Sequence, residues 1–209
     1  MNKQEIFKFN FTYNFDEQNF FVNPTNIDAF NGLSKNRSQN IFLYGPKKSG
    51  KTSLAHIWQN INNAISYNDY SFKEILNKKN NIVIDNFEKH DQEKIFHLLN
   101  HCNLNKLKIL IISNTKINNI DFDFDDLSSR IKIFDFFQIN QPDDEMLLNI
   151  LTKLLVDKQF IISTTDIFDF IIRRIDRSYE SVNNTVDKLD ILSLEKKRQL
   201  TIPLIKEIL

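Results

Sequence analysis

Asn40-Ile41-Phe42-Leu43-Tyr44-Gly45-Pro46-Lys47-Lys48-Ser49-Gly50-Lys51-Thr52-Ser53-Leu54 is the stretch on which the fold turns. Its middle, Gly45 to Thr52, fits the phosphate-binding pattern G-x-x-x-x-G-K-[ST]. The flanks carry the reading further. Ile41 to Tyr44 is a short apolar run that reads as a buried strand, and Leu54, Ile57, Trp58 and Ile61 recur at helical spacing after the loop. A strand that runs through a glycine loop into a helix aims backbone N–H groups and the helix dipole at one point, which suits an anion. Gly45, Pro46, Lys47, Lys48, Ser49, Gly50, Lys51, Thr52 and Ser53 are therefore the expected phosphate cradle. Lys51 is expected to reach the β- and γ-phosphates, and the Thr52 hydroxyl to ligate Mg²⁺.

Downstream of the loop the strands run apolar throughout, as strands of a parallel sheet covered on both faces do. Asn81-Ile82-Val83-Ile84 ends in Asp85, where a carboxylate at the C-terminal end of the strand holds Mg²⁺ as a Walker B acid. The next residue is Asn86, where many P-loop ATPases carry a second acid that orients the attacking water. An amide is no base, so unaided hydrolysis is expected to be slow. The run Leu107 to Ile112 reads as another strand and ends in Ser113-Asn114-Thr115, polar groups on the sheet edge where such folds bind ligands. Asn114 is the candidate for contacting the γ-phosphate. Weaker strands are expected at Ala64–Tyr67 and Phe134–Ile139, and helices after Thr25/Asn26, near Ser71–Leu76 and over Gln92–His101. The segment from Phe15 to Val22 is expected to pack on the nucleotide-binding core and wall the base.

From Gln141-Pro142-Asp143-Asp144-Glu145 the pattern is purely helical, with proline and acids matched to a helix start. Leu147/Ile150/Leu151/Leu154, Ile167/Phe168/Ile171 and Val182/Val186/Leu189 give three amphipathic faces, and Ile202 to Leu209 a closing segment. Arg177 is expected at the start of the third helix, where a cation opposes the dipole unless an anion such as a phosphate faces it. The chain divides into a terminal peptide (1–12), an α/β nucleotide-binding domain (13–141) and a helical domain (142–209).

The chain of 209 residues balances 27 Lys and Arg against 27 Asp and Glu, so no net field draws it to nucleic acid or membrane. One cysteine excludes an internal disulfide and fits a reducing compartment. No apolar run reaches membrane-spanning length and the first residues lack a signal-peptide core, so a soluble cytoplasmic protein is expected. The four histidines, at 56, 90, 97 and 101, show no metal-site spacing and read as surface or packing residues.

Two further stretches point to partners. Gln4-Glu5-Ile6-Phe7-Lys8-Phe9 resembles Q-x-x-[LF]-x-F, a short pattern that docks on the bacterial sliding clamp, with Gln4 as hydrogen-bonding anchor and Ile6, Phe7 and Phe9 in apolar pockets. Arg130, in Asp126-Leu127-Ser128-Ser129-Arg130-Ile131, follows the polar strand end and is positioned to project toward a neighbouring molecule.

P-loop, Walker B strand, polar strand end, D-L-x-S-R and helical lid, in that order, resemble the AAA+ class. Phe15-Asp16, Asn19-Phe20-Phe21-Val22, Ile84-Asp85-Asn86, Asp176-Arg177, Asp187-Lys188-Leu189-Asp190 and the tail Leu200 to Leu209 resemble more narrowly the Hda-type regulators of the DnaA branch. The resemblance implies a P-loop AAA+ domain with a parallel sheet flanked by helices, followed by a small all-α lid. It implies bound ADP or ATP with Mg²⁺, docking on the DNA-loaded sliding clamp, and an arginine finger, Arg130, that makes DnaA hydrolyse its ATP. Such a protein is a negative regulator of replication initiation. In the register of the downstream helix the lid arginine of this branch falls on Glu180, and Arg177 lies one turn earlier. No helix-turn-helix segment follows the lid in this sequence, so direct sequence-specific DNA binding is not expected. The alternative is a self-assembling AAA+ ATPase such as a helicase loader, whose Arg130 serves its own copies in a homo-oligomer.

Overall fold

The computed structural model describes residues 20–35, 40–162 and 164–209. The clamp-like peptide with Gln4, Ile6, Phe7 and Phe9, and the Phe15-Asp16 motif, lie outside the described residues. Five strands, β1 (Asn40–Tyr44), β2 (Ala64–Ser66), β3 (Asn81–Ile84), β4 (Ile109–Ser113) and β5 (Asp135–Gln138), form one sheet in the order β2-β3-β4-β1-β5. Every neighbouring pair is parallel. Alternation along the strands splits the core between the two faces. Ile41, Leu43, Leu110 and Ile112 meet α1 (Ile27–Ser34) and α2 (Lys51–Asn62) through Leu33, Leu54 and Trp58. Phe42, Ile82, Ile84, Ile109 and Ile111 meet α3 (Phe72–Asn77), α4 (Gln92–Leu104) and α5 (Asp125–Ile131) through Ile75, Ile95, Leu98 and Leu127. Burial on both faces is the reason these strands read as unbroken apolar runs.

The expected strands, and the expected helices of the sheet domain, end within three residues of their observed limits; the closing segment expected to run from Ile202 to Leu209 is helical only over Ile202–Ile205, and the helix Asp125–Ile131 is not among the expected elements. At the second strand the ladder stops at Ser66, because the Ser66 hydroxyl accepts the Asn68 N–H and turns the chain. Ser71 and Glu74 form a reciprocal capping box that starts α3. Phe134 and Ile139 are buried but lie outside the ladder of β5, which is an edge strand.

The lid is α6 (Asp144–Asp157), α7 (Asp166–Ile172), α8 (Tyr179–Lys196) and α9 (Ile202–Ile205), closed around Leu147, Leu151, Leu155, Ile171, Val186, Leu189 and Ile205. Asp143, not Pro142, opens α6: its carboxylate accepts the Met146 N–H at 2.8 Å, which leaves Pro142 one residue before the cap. Lys158 pairs with Asp190 at 2.8 Å and Asp187 at 3.4 Å, which gives Asp187 and Asp190 a structural role within the lid. The lid is tied to the sheet domain by polar groups around the first described segment. Asn23 Nδ2 donates to both Asp143 carboxylate oxygens at 2.9 and 3.0 Å. The Tyr179 hydroxyl donates to the Asn140 carbonyl at 3.2 Å, and Asn140 N–H to the Thr25 carbonyl at 2.9 Å. Tyr179 is 1 % exposed, and burying such a ring stabilises the junction by about 2–3 kcal/mol. Among the described residues no helix is long and apolar enough to cross a membrane.

Candidate phosphate-binding site

The loop between β1 and α2 has the geometry its residue types dictate. Gly50 stands at φ +89°, a conformation in which any L side chain is strained, and it caps α2 with no side chain of its own. A Cβ on Gly45 would stand 2.8 Å from the Ile139 carbonyl oxygen, so the first glycine is required where the chain leaving β5 passes close to the loop. The first turn of α2 holds no acid, and among the described residues no side chain caps it. Its free N–H groups and dipole end therefore face outward for an anion.

Lys51 is 7 % exposed and its ammonium bonds the Gly45 carbonyl at 2.9 Å and the Pro46 carbonyl at 2.5 Å. Desolvation pushes its pKa down from the ordinary 10.5 to about 8, with Asp85 and Glu88 opposing the shift. Among the described residues the buried Ser49 hydroxyl has no hydrogen-bond partner. An uncapped helix start, a buried cation and an orphaned hydroxyl converging on one loop fit a polyphosphate. Thr52 Oγ1 donates to Asp85 Oδ2 at 2.9 Å, so the two expected Mg²⁺ residues are in contact. One hydroxyl and one carboxylate suit Mg²⁺, which keeps waters and takes phosphate oxygens for the rest of its octahedron. No group of three or more His, Cys, Asp or Glu capable of holding a metal occurs among the described residues.

The strand ends bring the other expected residues alongside. Ser113 is in register with Tyr44, so Asn114 lies level with the first glycine of the loop. Asn86 sits in the left-handed region at φ +55°, and its N–H donates to Asp85 Oδ1 at 2.7 Å, which turns the acid toward the loop. The described part of the segment before α1 also touches the loop. Phe20 stacks on Phe30 with centroids 5.8 Å apart, and its ring would lie 3.1 Å from a Cβ on Gly50.

Arg177 is placed differently from the expectation. It lies one residue before the Ser178 cap, outside the third lid helix, and it is ion-paired with Asp144 of α6. Here a lid carboxylate lies beside its charge. The pair is exposed, and such pairs contribute about 0–1 kcal/mol, too little to hold the lid by themselves. Arg130 lies in the last turn of α5, half-buried with its guanidinium 4.9 Å from the centre of the Phe96 ring.

Two residues at the site had no motif to announce them. Glu88 Oε1 accepts from the Ser113 hydroxyl at 2.5 Å, Asn114 N–H at 2.7 Å and Thr115 N–H at 3.0 Å. Burial works against its charge, but the Ser113 hydroxyl and these N–H groups outweigh it and hold the carboxyl below its ordinary range. Glu88 is thus a fastener between the ends of β3 and β4. A carboxylate with a lowered pKa is a weak base and does not replace the acid missing at Asn86. The His90 ring meets the Asp85 carbonyl at 2.8 Å and stands edge-on to Tyr67, which makes it a support of the Walker B turn.

The Lys51 environment has a measurable consequence. Near pH 8.5 the nucleotide-free site holds Lys51 largely neutral, and an incoming polyphosphate raises its pKa and draws a proton from solution. We expect ATP or ADP binding at pH 8.5 to take up a fraction of a proton, and affinity to fall as pH rises through about 8. Calorimetry in two buffers of different ionisation enthalpy measures it. Equal heats in both buffers at that pH would contradict the assigned environment.

The family model described as "Hda, lid domain" matches residues 144–209. A protein of Haemophilus influenzae, itself named only as uncharacterized, is 27 % identical over 211 residues, covering 90 % of this chain and 91 % of its own. The chromosomal replication initiator protein DnaA of Buchnera aphidicola subsp. Baizongia pistaciae is 26 % identical over 230 residues, covering 90 % of this chain and 49 % of the initiator. The chain thus spans about half the length of that initiator. Domain III of the Thermotoga maritima DnaA superposes with a TM-score of 0.76 at 19 % identity, covering 93 % of this chain and 95 % of that one. The AMPPCP-bound DnaA of Aquifex aeolicus superposes with a TM-score of 0.65 at 16 % identity, covering 86 % and 68 %. Residues 144–209 thus match an Hda lid, and the chain as a whole is similar to DnaA in sequence and shares the AAA+ fold of DnaA domain III, a parallel sheet flanked by helices with a helical lid after it.

Proposed function

We propose that this protein is a cytoplasmic negative regulator of DNA replication initiation that holds ATP or ADP with Mg²⁺, docks on the sliding clamp through Gln4, Ile6, Phe7 and Phe9, and stimulates ATP hydrolysis by DnaA through Arg130 in trans. The observation that carries the reading is the mismatch within its own site. Lys51, Thr52 and Asp85 form a complete nucleotide-holding set, but the water-orienting position is the amide Asn86 and the nearby Glu88 is committed to the β4 end. A site of that kind retains nucleotide better than it turns it over. The catalytic contribution then falls to a group offered to another molecule's nucleotide, for which Arg130 is the candidate. The relation to DnaA supplies the partner, and Asn114 is the residue assigned to the γ-phosphate side of the resident nucleotide.

The same Lys51–Thr52–Asp85 geometry also permits a second reading, a self-assembling ATPase such as a helicase loader. Phosphate release separates the two. The regulator reading expects little release from the purified protein, and a large increase over DnaA alone when ATP-loaded DnaA and DNA-loaded clamp are both present. Robust multiple-turnover release by the protein alone, rising steeply with its own concentration, would transfer the assignment to the self-assembling ATPase.

A further inference from the structure

Arg130 has an acid available one turn earlier, Asp126, in the usual i,i+4 relation for a helical ion pair. It does not take it. Among the described residues the Arg130 side chain has no hydrogen bond and no ion pair, and its guanidinium lies 4.9 Å from the centre of the Phe96 ring. Phe96 comes from a different helix, α4, and is itself braced: it meets Phe124, the cap residue of α5, edge-on at 5.4 Å and 84°. Phe124 is joined covalently to the helix that carries Arg130, so ring and guanidinium are fixed in one unit.

The chemistry of that contact matters more than its strength. A carboxylate partner would occupy the guanidinium N–H edge and cancel its charge. An aromatic ring attracts the cation through its face and does not cancel its charge. With no acceptor on its N–H groups among the described residues, the arginine is held beside Phe96 with its hydrogen-bond donors uncommitted to any oxygen, as a group meant for a phosphate oxygen on another molecule requires.

We propose that Phe96 is a positioning residue that holds the Arg130 guanidinium with its N–H edge free for the phosphoryl group of a nucleotide bound to a partner protein. This rests on the trans-acting reading of Arg130 given above, and the experiment separates the two. Hydrolysis of ATP pre-loaded on DnaA is followed in single turnover with DNA-loaded clamp, over a range of concentrations of wild-type protein, Phe96→Ala, Phe96→Tyr, Arg130→Ala and the Arg130→Ala/Phe96→Ala double variant. Thermal melting and ADP binding of each variant check the fold. Phe96→Ala is expected to lower the saturating rate roughly 3- to 30-fold, the span of a cation–π contact, with the half-saturating concentration unchanged. Phe96→Tyr, which keeps the ring, should restore the rate, and Phe96→Ala should add no loss in the Arg130→Ala background. A wild-type saturating rate for Phe96→Ala beside an inactive Arg130→Ala would overturn the positioning role alone. So would a loss that Tyr fails to restore, or one expressed only as weaker half-saturation. A fully active Arg130→Ala would remove the trans-acting reading and the positioning role with it.

Discussion

Arg130→Ala is expected to abolish the stimulated hydrolysis of DnaA-bound ATP while leaving fold, nucleotide retention and clamp binding as they are. The transferring phosphoryl group gains charge on its oxygens, and a guanidinium aimed there stabilises the transition state more than the ground state. Fingers of this kind are worth on the order of 10³–10⁵ in rate. The structural cost of the substitution is small. Arg130 makes no side-chain hydrogen bond or ion pair among the described residues, so the substitution breaks no polar pairing and loses the contact with Phe96. Arg130→Lys should rescue little, because a point charge lacks the planar fork that meets two oxygens at once. The measurement is single-turnover conversion of DnaA-bound ATP to ADP. A wild-type rate for Arg130→Ala would sink the assignment.

Lys51→Ala is expected to lower the affinity for ATP or ADP on the order of 100-fold or more and to remove the rise in melting temperature that nucleotide brings. The ammonium sits inside the loop on the Gly45 and Pro46 carbonyls, so it meets phosphate with little water to displace, and charge-assisted bonds are worth about 1.5–3 kcal/mol each. Without nucleotide the effect on stability should run the other way in part. The folded pKa of Lys51 is depressed to about 8, against an ordinary 10.5. Below about pH 8 both folded and unfolded chains carry the charge, and the burial cost is felt in full. Between pH 8 and 10.5 the folded state sheds its proton first, the unfolded state binds more protons, and the cost fades. Nucleotide-free wild type should therefore gain stability relative to Lys51→Met as pH rises through that window. The comparison is made by thermal melting with and without nucleotide. An undiminished nucleotide-induced shift in Lys51→Ala would show that the loop does not hold the phosphates.

The phosphate loop was legible in the sequence because it is local: strand, loop and helix start are contiguous, and Gly50 has its conformational reason within that span, although the steric reason for Gly45 comes from Ile139 far along the chain. The strand that ends in Asp85 was legible for the same reason, since burial on both faces writes an unbroken apolar run. Glu88 was not. Its three donors come from Ser113, Asn114 and Thr115, some 25 residues on, and meet it only because β3 and β4 are neighbours in the sheet. A carboxylate in a polar turn otherwise looks like any solvated acid. His90, read as a surface or packing histidine, is a support of the Walker B turn for a similar reason: its partner is a backbone carbonyl, and that has no sequence signature.

Arg177 shows the opposite limit. Its isolation near a helix start suggested an anion across the cleft, but the lid helices bring Asp144, 33 residues earlier, against it. Charge pairs between helices depend on packing angle and register, neither of which a linear pattern encodes.

By itself the sequence determined that Gly45–Thr52 is a loop of the phosphate-binding pattern between a strand and a helix, that its sheet is parallel and doubly covered, and that its last third is helical. Those properties follow from periodicity and from short-range backbone geometry. Only the tertiary structure decided how the polar groups are shared out: Thr52 with Asp85, Glu88 with the β4 end, Asn23 with Asp143, and Arg130 with a ring rather than an acid. A buried or half-buried polar group takes whichever partner the fold brings within about 3 Å, and that distance is fixed by strand order and helix packing, not by position along the chain.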